Sequence, residues 1–137
     1  MNAIAEPTTE VYSGELLAHA RDTRNRGRIA GAPIHADGDN PVCGDHLEAW
    51  AVLDSKGRIG RASFEGQGCA ISLAAASLVF EDVKGKTLDE VKRADRERVF
   101  ELLGLQLSTS RVKCGTLGLA VLKDGIRAYE STKGRKA

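Results

Sequence analysis

The sequence predicts a single-domain α+β fold: a small antiparallel sheet of about three strands with helices packed on one face. Three observations predict it. The 137 residues, 42% of them hydrophobic, suit one core and leave no room for a second domain. A strand–turn–strand pattern occupies the middle of the chain. After Gly68, nearly every segment carries helical periodicity. Aromatics make up only 4% of the residues, so the core is expected to be aliphatic.

Residues 1–10 have little pattern and read as a flexible lead-in. From Val11 to Arg21, a short helix places Val11, Leu16, Leu17 and Ala20 on one face. Asp22 to Asn40, with Gly27, Gly31 and Gly38, reads as loop with one short strand around Gly31–Ile34. Leu47–Leu53 and Arg58–Phe64 form an antiparallel hairpin across the turn Asp54-Ser55-Lys56-Gly57, and Gly66 and Gly68 stop it. Ala70–Val83 is an Ala- and Leu-rich helix, apolar almost all round and therefore buried. Thr87 with Glu90 has capping-box spacing. Asp95–Leu103 is a short amphipathic helix closed by Gly104. Leu105–Ser110 is a link, and Val112–Tyr129 is the last helix. The domain is placed at residues 11–130, with a disordered basic tail over 131–137.

Charge nearly cancels: 20 Lys+Arg against 19 Asp+Glu gives +1. No global charge favours nucleic acid or an anionic membrane. No apolar run reaches the ~18–20 residues of a membrane span. Met1–Glu15 is acidic and polar, unlike a signal peptide. Three cysteines, an odd number, argue against a disulfide framework. The expectation is reduced thiols and a cytoplasmic location.

Each cysteine touches a glycine: Cys43-Gly44, Gly68-Cys69 and Cys114-Gly115. Each also lies at an element boundary. Cys43 precedes the first hairpin strand, Cys69 starts a helix, and Cys114 falls in the first turn of the last helix. Free N–H groups at a helix N-terminus favour thiolate, and glycine lets a ligand approach closely. Cysteine is also a common packing residue, so the bland reading is inert core thiols. Asp45, on a Gly-flanked and exposed loop, could point with Cys43 at one ion. Alternatively it is a turn or cap residue. Three thiolates and one carboxylate would suit zinc or a mixed-ligand iron–sulfur site. Lys113 could support a neighbouring thiolate or be a surface lysine. His46 points away from Asp45, His19 is a packed or surface residue, and His35 sits in a mobile-looking loop. Arg21, Arg24, Arg26 and Arg28 make a local basic stretch, read as a solvated face or a docking surface.

The blocks Asn40-Pro41-Val42-Cys43-Gly44-Asp45, Phe64-Glu65-Gly66-Gln67-Gly68-Cys69-Ala70-Ile71-Ser72, Gly85-Lys86 and Arg111-Val112-Lys113-Cys114 with Thr116-Leu117 resemble the iron–sulfur cluster assembly scaffold family, the IscU, SufU and NifU N-terminal group. His19 and Thr23-Arg24-Asn25-Arg26-Gly27 resemble that family's N-terminal element, with Thr23 in place of a proline. The resemblance runs from about Tyr12 to Tyr129. It implies that Cys43, Asp45, Cys69 and Cys114 are the metal and cluster ligands, holding a transient [2Fe–2S] cluster or, at the same site, Zn²⁺. It implies a cysteine desulfurase as sulfur donor, persulfide received on one of these cysteines, and apo iron–sulfur proteins as recipients; Cys114, at a helix N-terminus beside Lys113, or Cys43, on a Gly-flanked loop, is the expected acceptor.

The chain departs from each branch. Lys113 stands where the IscU branch has histidine, as in the SufU branch. Ala70–Lys113 leaves no room for the SufU insertion between the second and third cysteines. Leu107-Ser108-Thr109-Ser110-Arg111 occupies the IscU chaperone-recognition segment without its two prolines, which argues against an IscU-type chaperone. The leading expectation is a scaffold rather than an enzyme. A zinc-dependent sulfurtransferase of SufU type is the alternative, and a zinc-stabilised domain without a transfer role is the third.

Overall fold

The computed structural model of the chain describes residues 14–41 and 44–136. Among these residues, strands β1 (Ile34–Asn40), β2 (Asp45–Leu53) and β3 (Ile59–Gln67) form an antiparallel meander in that order. Five helices accompany it: α1 (Gly14–Arg21), α2 (Ala70–Asp82), α3 (Leu88–Arg93), α4 (Arg96–Leu103) and α5 (Thr109–Lys136). The fold is the α+β class that the sequence predicts.

Register decides which side chains share a face. Ile34, Ala36 and Gly38 of β1 stand beside Ala51, Ala49 and Leu47 of β2, which stand beside Ala62, Phe64 and Gly66 of β3. Alternation puts this small and aliphatic set on one side of the sheet, and α2 and α5 cover it. Phe80 of α2 meets Phe64 with ring centroids 5.2 Å apart. A Cβ on Gly38 would lie 2.9 Å from Val121 Cγ2, so α5 sits closer to β1 than alanine there allows. The opposite face carries Asp37, Asp39, His46 and Glu65, all exposed.

Several boundaries differ from those read in the sequence. The strand expected around Gly31–Ile34 is β1, at Ile34–Asn40. After Ile34 it has no β-branched residue and two aspartates, so pairing with β2 overrides weak local preference. His35 is therefore a strand residue, not a loop residue, and its ring stacks on Trp50 at 5.4 Å. β3 runs on to Gln67 through Gly66. That glycine has φ +145°, and a Cβ there would collide with the His46 carbonyl oxygen.

The helix signals fare better. α2 is buried around its circumference, including Ile71, Ala74, Val79 and Phe80. Thr87 and Glu90 form the capping box at α3. Asp95 caps α4, and Gly104 closes it at φ 74°. α5 absorbs the end of the expected link by starting at Thr109. It also continues through Lys136, where the sequence reading places a disordered tail. No proline interrupts the segment. The expected lead-in and the start of the expected first helix lie outside the described residues.

Candidate metal centre

Asn40 and Asp45 are the last cross-strand pair of β1 and β2. Alternation places both on the helix-facing side, at the end of the sheet that meets the start of α2. Asp45 is thus buried at 4% exposure, not exposed on a loop that swings freely. Gly44, at φ +75°, turns the chain into it and donates its N–H to the Asn40 carbonyl at 2.9 Å. Cys43 lies outside the described residues.

The other two thiols arrive on helices. Cys69 is the N-cap residue of α2 and half-buried. Cys114 is fully buried, packed with Leu16, Ile71 and Ala74. Because α5 starts at Thr109, Cys114 stands in its second turn, past the free N–H groups. The helix-terminus argument therefore applies to Cys69 and not to Cys114.

One ligand atom from each of Asp45, Cys69 and Cys114 falls within 4.8 Å of the others. Hydrogen bonds fix this convergence. The Cys69 N–H donates to Asp45 Oδ1 at 3.2 Å, which sets a carboxylate at the start of α2. Ser72 Oγ lies 2.5 Å from Asp45 Oδ2 and 3.0 Å from the Cys114 carbonyl oxygen. Its single proton suits the shorter, carboxylate contact. Two donors face the sulfurs: Asn40 Nδ2 at 3.6 Å from Cys114 Sγ, and Arg111 Nη1 at 3.8 Å from Cys69 Sγ. Gly68 leaves space for the arrangement, since a Cβ there would lie 2.8 Å from Ser72 Cβ.

The sequence reading assigns no role to Asn40, Ser72 or Arg111. Ser72 was accessible to it through spacing, because i and i+3 share a helix face with Cys69. Arg111 and Cys114 have the same relation once α5 starts at Thr109. Lys113 is exposed and borders a cleft of about 270 Å³ with Asp39, Asn40 and Pro41. Among the described residues the cation within reach of a thiol is Arg111, not Lys113. His46 points to the far face, as expected, where its hydrogen bond to Asp39 raises its pKa above the usual 6.5. His19 is half-buried on α1, and His35 reaches Glu48 Oε2 at 2.6 Å, so neither histidine joins the centre.

The donor set fits a thiophilic cation. A tetrahedral zinc with Zn–S of ~2.3 Å separates its ligands by roughly 3.8 Å, and the three described donors lie within 4.8 Å of one another, near enough to reach one ion. Two sulfurs and one carboxylate are too soft a set for magnesium or calcium.

Comparisons with known proteins bear on the family and the fold. The family model for the NifU-like N terminal domain matches residues 11–136. The chain is 32% identical over 125 residues to iron-sulfur cluster assembly scaffold protein IscU 1 of Archaeoglobus fulgidus, covering 91% of this chain and 80% of that one. It is 28% identical over 137 residues to the zinc-dependent sulfurtransferase SufU of Bacillus subtilis, covering 88% and 92%. The crystal structure of the N-terminal part of a nitrogen-fixing NifU-like protein from Brucella abortus superposes with a TM-score of 0.73 at 20% identity, covering 89% of this chain and 96% of that one.

Proposed function

The chain belongs to the NifU-like N-terminal domain family, and from that premise we propose that it is an iron–sulfur cluster assembly scaffold. It accepts persulfide sulfur from a cysteine desulfurase, an external two-electron donor reduces that sulfur to sulfide and frees the thiol, a transient [2Fe–2S] cluster assembles on Cys43, Asp45, Cys69 and Cys114, and the cluster passes to apo iron–sulfur proteins. The observation that carries this reading is the convergence of Asp45, Cys69 and Cys114 from three different elements. A core that merely stored cysteines would not bring a buried carboxylate to two of them.

The residues divide the work. Cys69 and Cys114 supply soft ligands suited to iron in these clusters. Asp45 supplies a harder and weaker one. Asn40 and Arg111 place N–H donors against the sulfurs, which stabilises negative charge there. Of the two candidate persulfide acceptors, the burial of Cys114 favours Cys43. Lys113, exposed on the cleft beside Pro41, would support a thiolate from that cleft. No helix among the described residues is long and apolar enough to cross a membrane, and the reading needs none. An IscU-type chaperone is not part of it. Both prolines of the recognition segment are absent, and its last three positions form the first turn of α5.

A second reading, zinc-dependent sulfur transfer, draws support from the SufU relative and from the gathering of two thiols and a carboxylate within 4.8 Å of one another. In it the same residues would hold zinc, a resident ion that fixes the thiols as thiolates. Anaerobic reconstitution with iron and sulfide separates the two. A visible chromophore that moves to an apo-ferredoxin supports the scaffold. A protein that stays colourless yet raises desulfurase turnover contradicts the scaffold and supports sulfur transfer.

A further inference from the structure

The basic stretch of the sequence lines a cavity that shares no residue with Asp45, Cys69 and Cys114. β3 is an edge strand, and two segments pair with parts of its free edge. The Phe64 N–H and carbonyl bond Asn25 and Gly27, and the Ile59 N–H and carbonyl bond Lys86 and Gly85. Between them the edge is open. Ala62 has the same parity as Phe64, so its N–H turns outward, and no backbone partner for it is present among the described residues.

A cavity of about 180 Å³ occupies this gap, lined by Arg24, Arg26, Arg28, Arg61 and Lys84 and by no carboxylate. Carboxylates nearby neutralise some of the charge. Asp22 pairs with Arg24 at 2.7 Å, Glu81 with Lys84 at 3.1 Å, and Glu65 lies 3.9 Å from Arg26 Nε. Arg28 and Arg61 have no acidic partner among the described residues, so the cluster carries an excess of two positive charges. Arg26 is fixed with its guanidinium carbon 5.0 Å from the Phe64 ring centroid. Its Nε is buried and has no hydrogen-bond partner.

Unsatisfied buried donors are costly, and an oxoanion satisfies several of them at once. We propose that this cavity binds the dianionic phosphate group of a small molecule, held by Arg28 and Arg61 with Arg26 and the Ala62 N–H as further donors at its wall. The volume admits one phosphate group. The excess of two charges matches a dianion rather than a lone carboxylate.

The test is a titration of the full-length, ¹⁵N-labelled protein followed by NMR, including the arginine Nε–H signals. Potassium phosphate, ATP and potassium acetate are compared at constant ionic strength. Saturable shifts at Arg26 Nε, Arg61 and Ala62 with phosphate or ATP, and none with acetate, are expected. Tighter saturation by ATP assigns the phosphate to a nucleotide, and equal or tighter saturation by phosphate assigns it to the free ion. The double variant Arg28→Gln, Arg61→Gln replaces exposed side chains and keeps the fold, checked by the dispersion of the same spectrum. It should weaken binding by about tenfold or more. Shifts that do not saturate, that acetate reproduces, or that persist with the same affinity in the double variant overturn the proposal.

Discussion

Ser72 Oγ and Asp45 Oδ2 stand 2.5 Å apart across 27 positions of sequence, joining the first turn of α2 to the start of β2. Both residues are buried. This contact and the Cys69 N–H together hold both carboxylate oxygens, which is why Asp45 can occupy a core-facing position. Ser72→Ala removes one of the two restraints. The metal-free protein should lose about 1–3 kcal/mol in denaturant unfolding. Zinc affinity, measured by chelator competition, should fall as well. Unchanged values of both would show that the contact holds nothing in place.

Asp45→Ala tests the weak-ligand idea. Removing a buried acceptor strands the Cys69 N–H, so the variant should lose about 1–3 kcal/mol of folding stability, more than an exposed loop residue would cost. A reconstituted cluster should nonetheless stay longer on the variant and reach apo-ferredoxin more slowly, because the harder and more exchangeable ligand is gone. Visible absorbance followed during competition with apo-ferredoxin checks this. Faster or unchanged loss, with circular dichroism intact, contradicts it.

Sulfur should arrive first at Cys43. Cys114 is fully enclosed by Leu16, Ile71 and Ala74, and Cys69 is half-buried at the rim of α2. After incubation with a desulfurase and cysteine, mass spectrometry of trapped peptides should find persulfide on the Cys43 peptide. Alkylation of the metal-free protein should modify Cys69 well before Cys114. Persulfide confined to Cys69 runs against this account.

Acid should weaken the side of the molecule where α2 meets α4. Burial alone would raise the Asp82 pKa, but hydrogen bonds from Arg98 at 2.5 Å and Lys86 at 3.0 Å outweigh it and hold the group below its usual 3.8. A carboxyl depressed in the folded state stabilises fully above its unfolded value. That contribution is lost as pH falls through the folded value. Asp82→Asn should therefore unfold more easily than wild type near neutral pH, by about 1 kcal/mol, and the gap should close as pH falls through the depressed folded-state value. A gap that persists unchanged in acid means the ion pair is not its source.

Much of this was legible in the residues. The hairpin, the all-round apolar α2, the Thr87–Glu90 box and the Gly104 stop each follow from local chemistry, and the structure has them where local rules put them. β1 was hidden because Asp37, Gly38 and Asp39 disfavour strands. Only the fit of Val121 against Gly38 and the pairing with β2 make sense of them. Cys69, Asp45 and Cys114 were singled out by their glycine neighbours and by resemblance, whereas their shell was not. Asn40 and Arg111 reach the sulfurs through tertiary contacts spanning 74 and 42 positions, which no local pattern encodes. Asp45 was misplaced on an exposed loop because Gly44 reads as flexibility, when it is the turn that delivers Asp45 into the sheet.

The central claim is that Asp45, Cys69 and Cys114 act with Cys43 as one centre for an iron–sulfur cluster. Iron and acid-labile sulfide bound per chain after anaerobic reconstitution test it most directly, in the wild type and in Cys43→Ser, Cys69→Ser and Cys114→Ser. The account predicts iron and sulfide in equal amounts on the wild type and a sharp loss of both in each variant whose fold is intact by circular dichroism. Full iron and sulfide on the three Cys→Ser variants would contradict it.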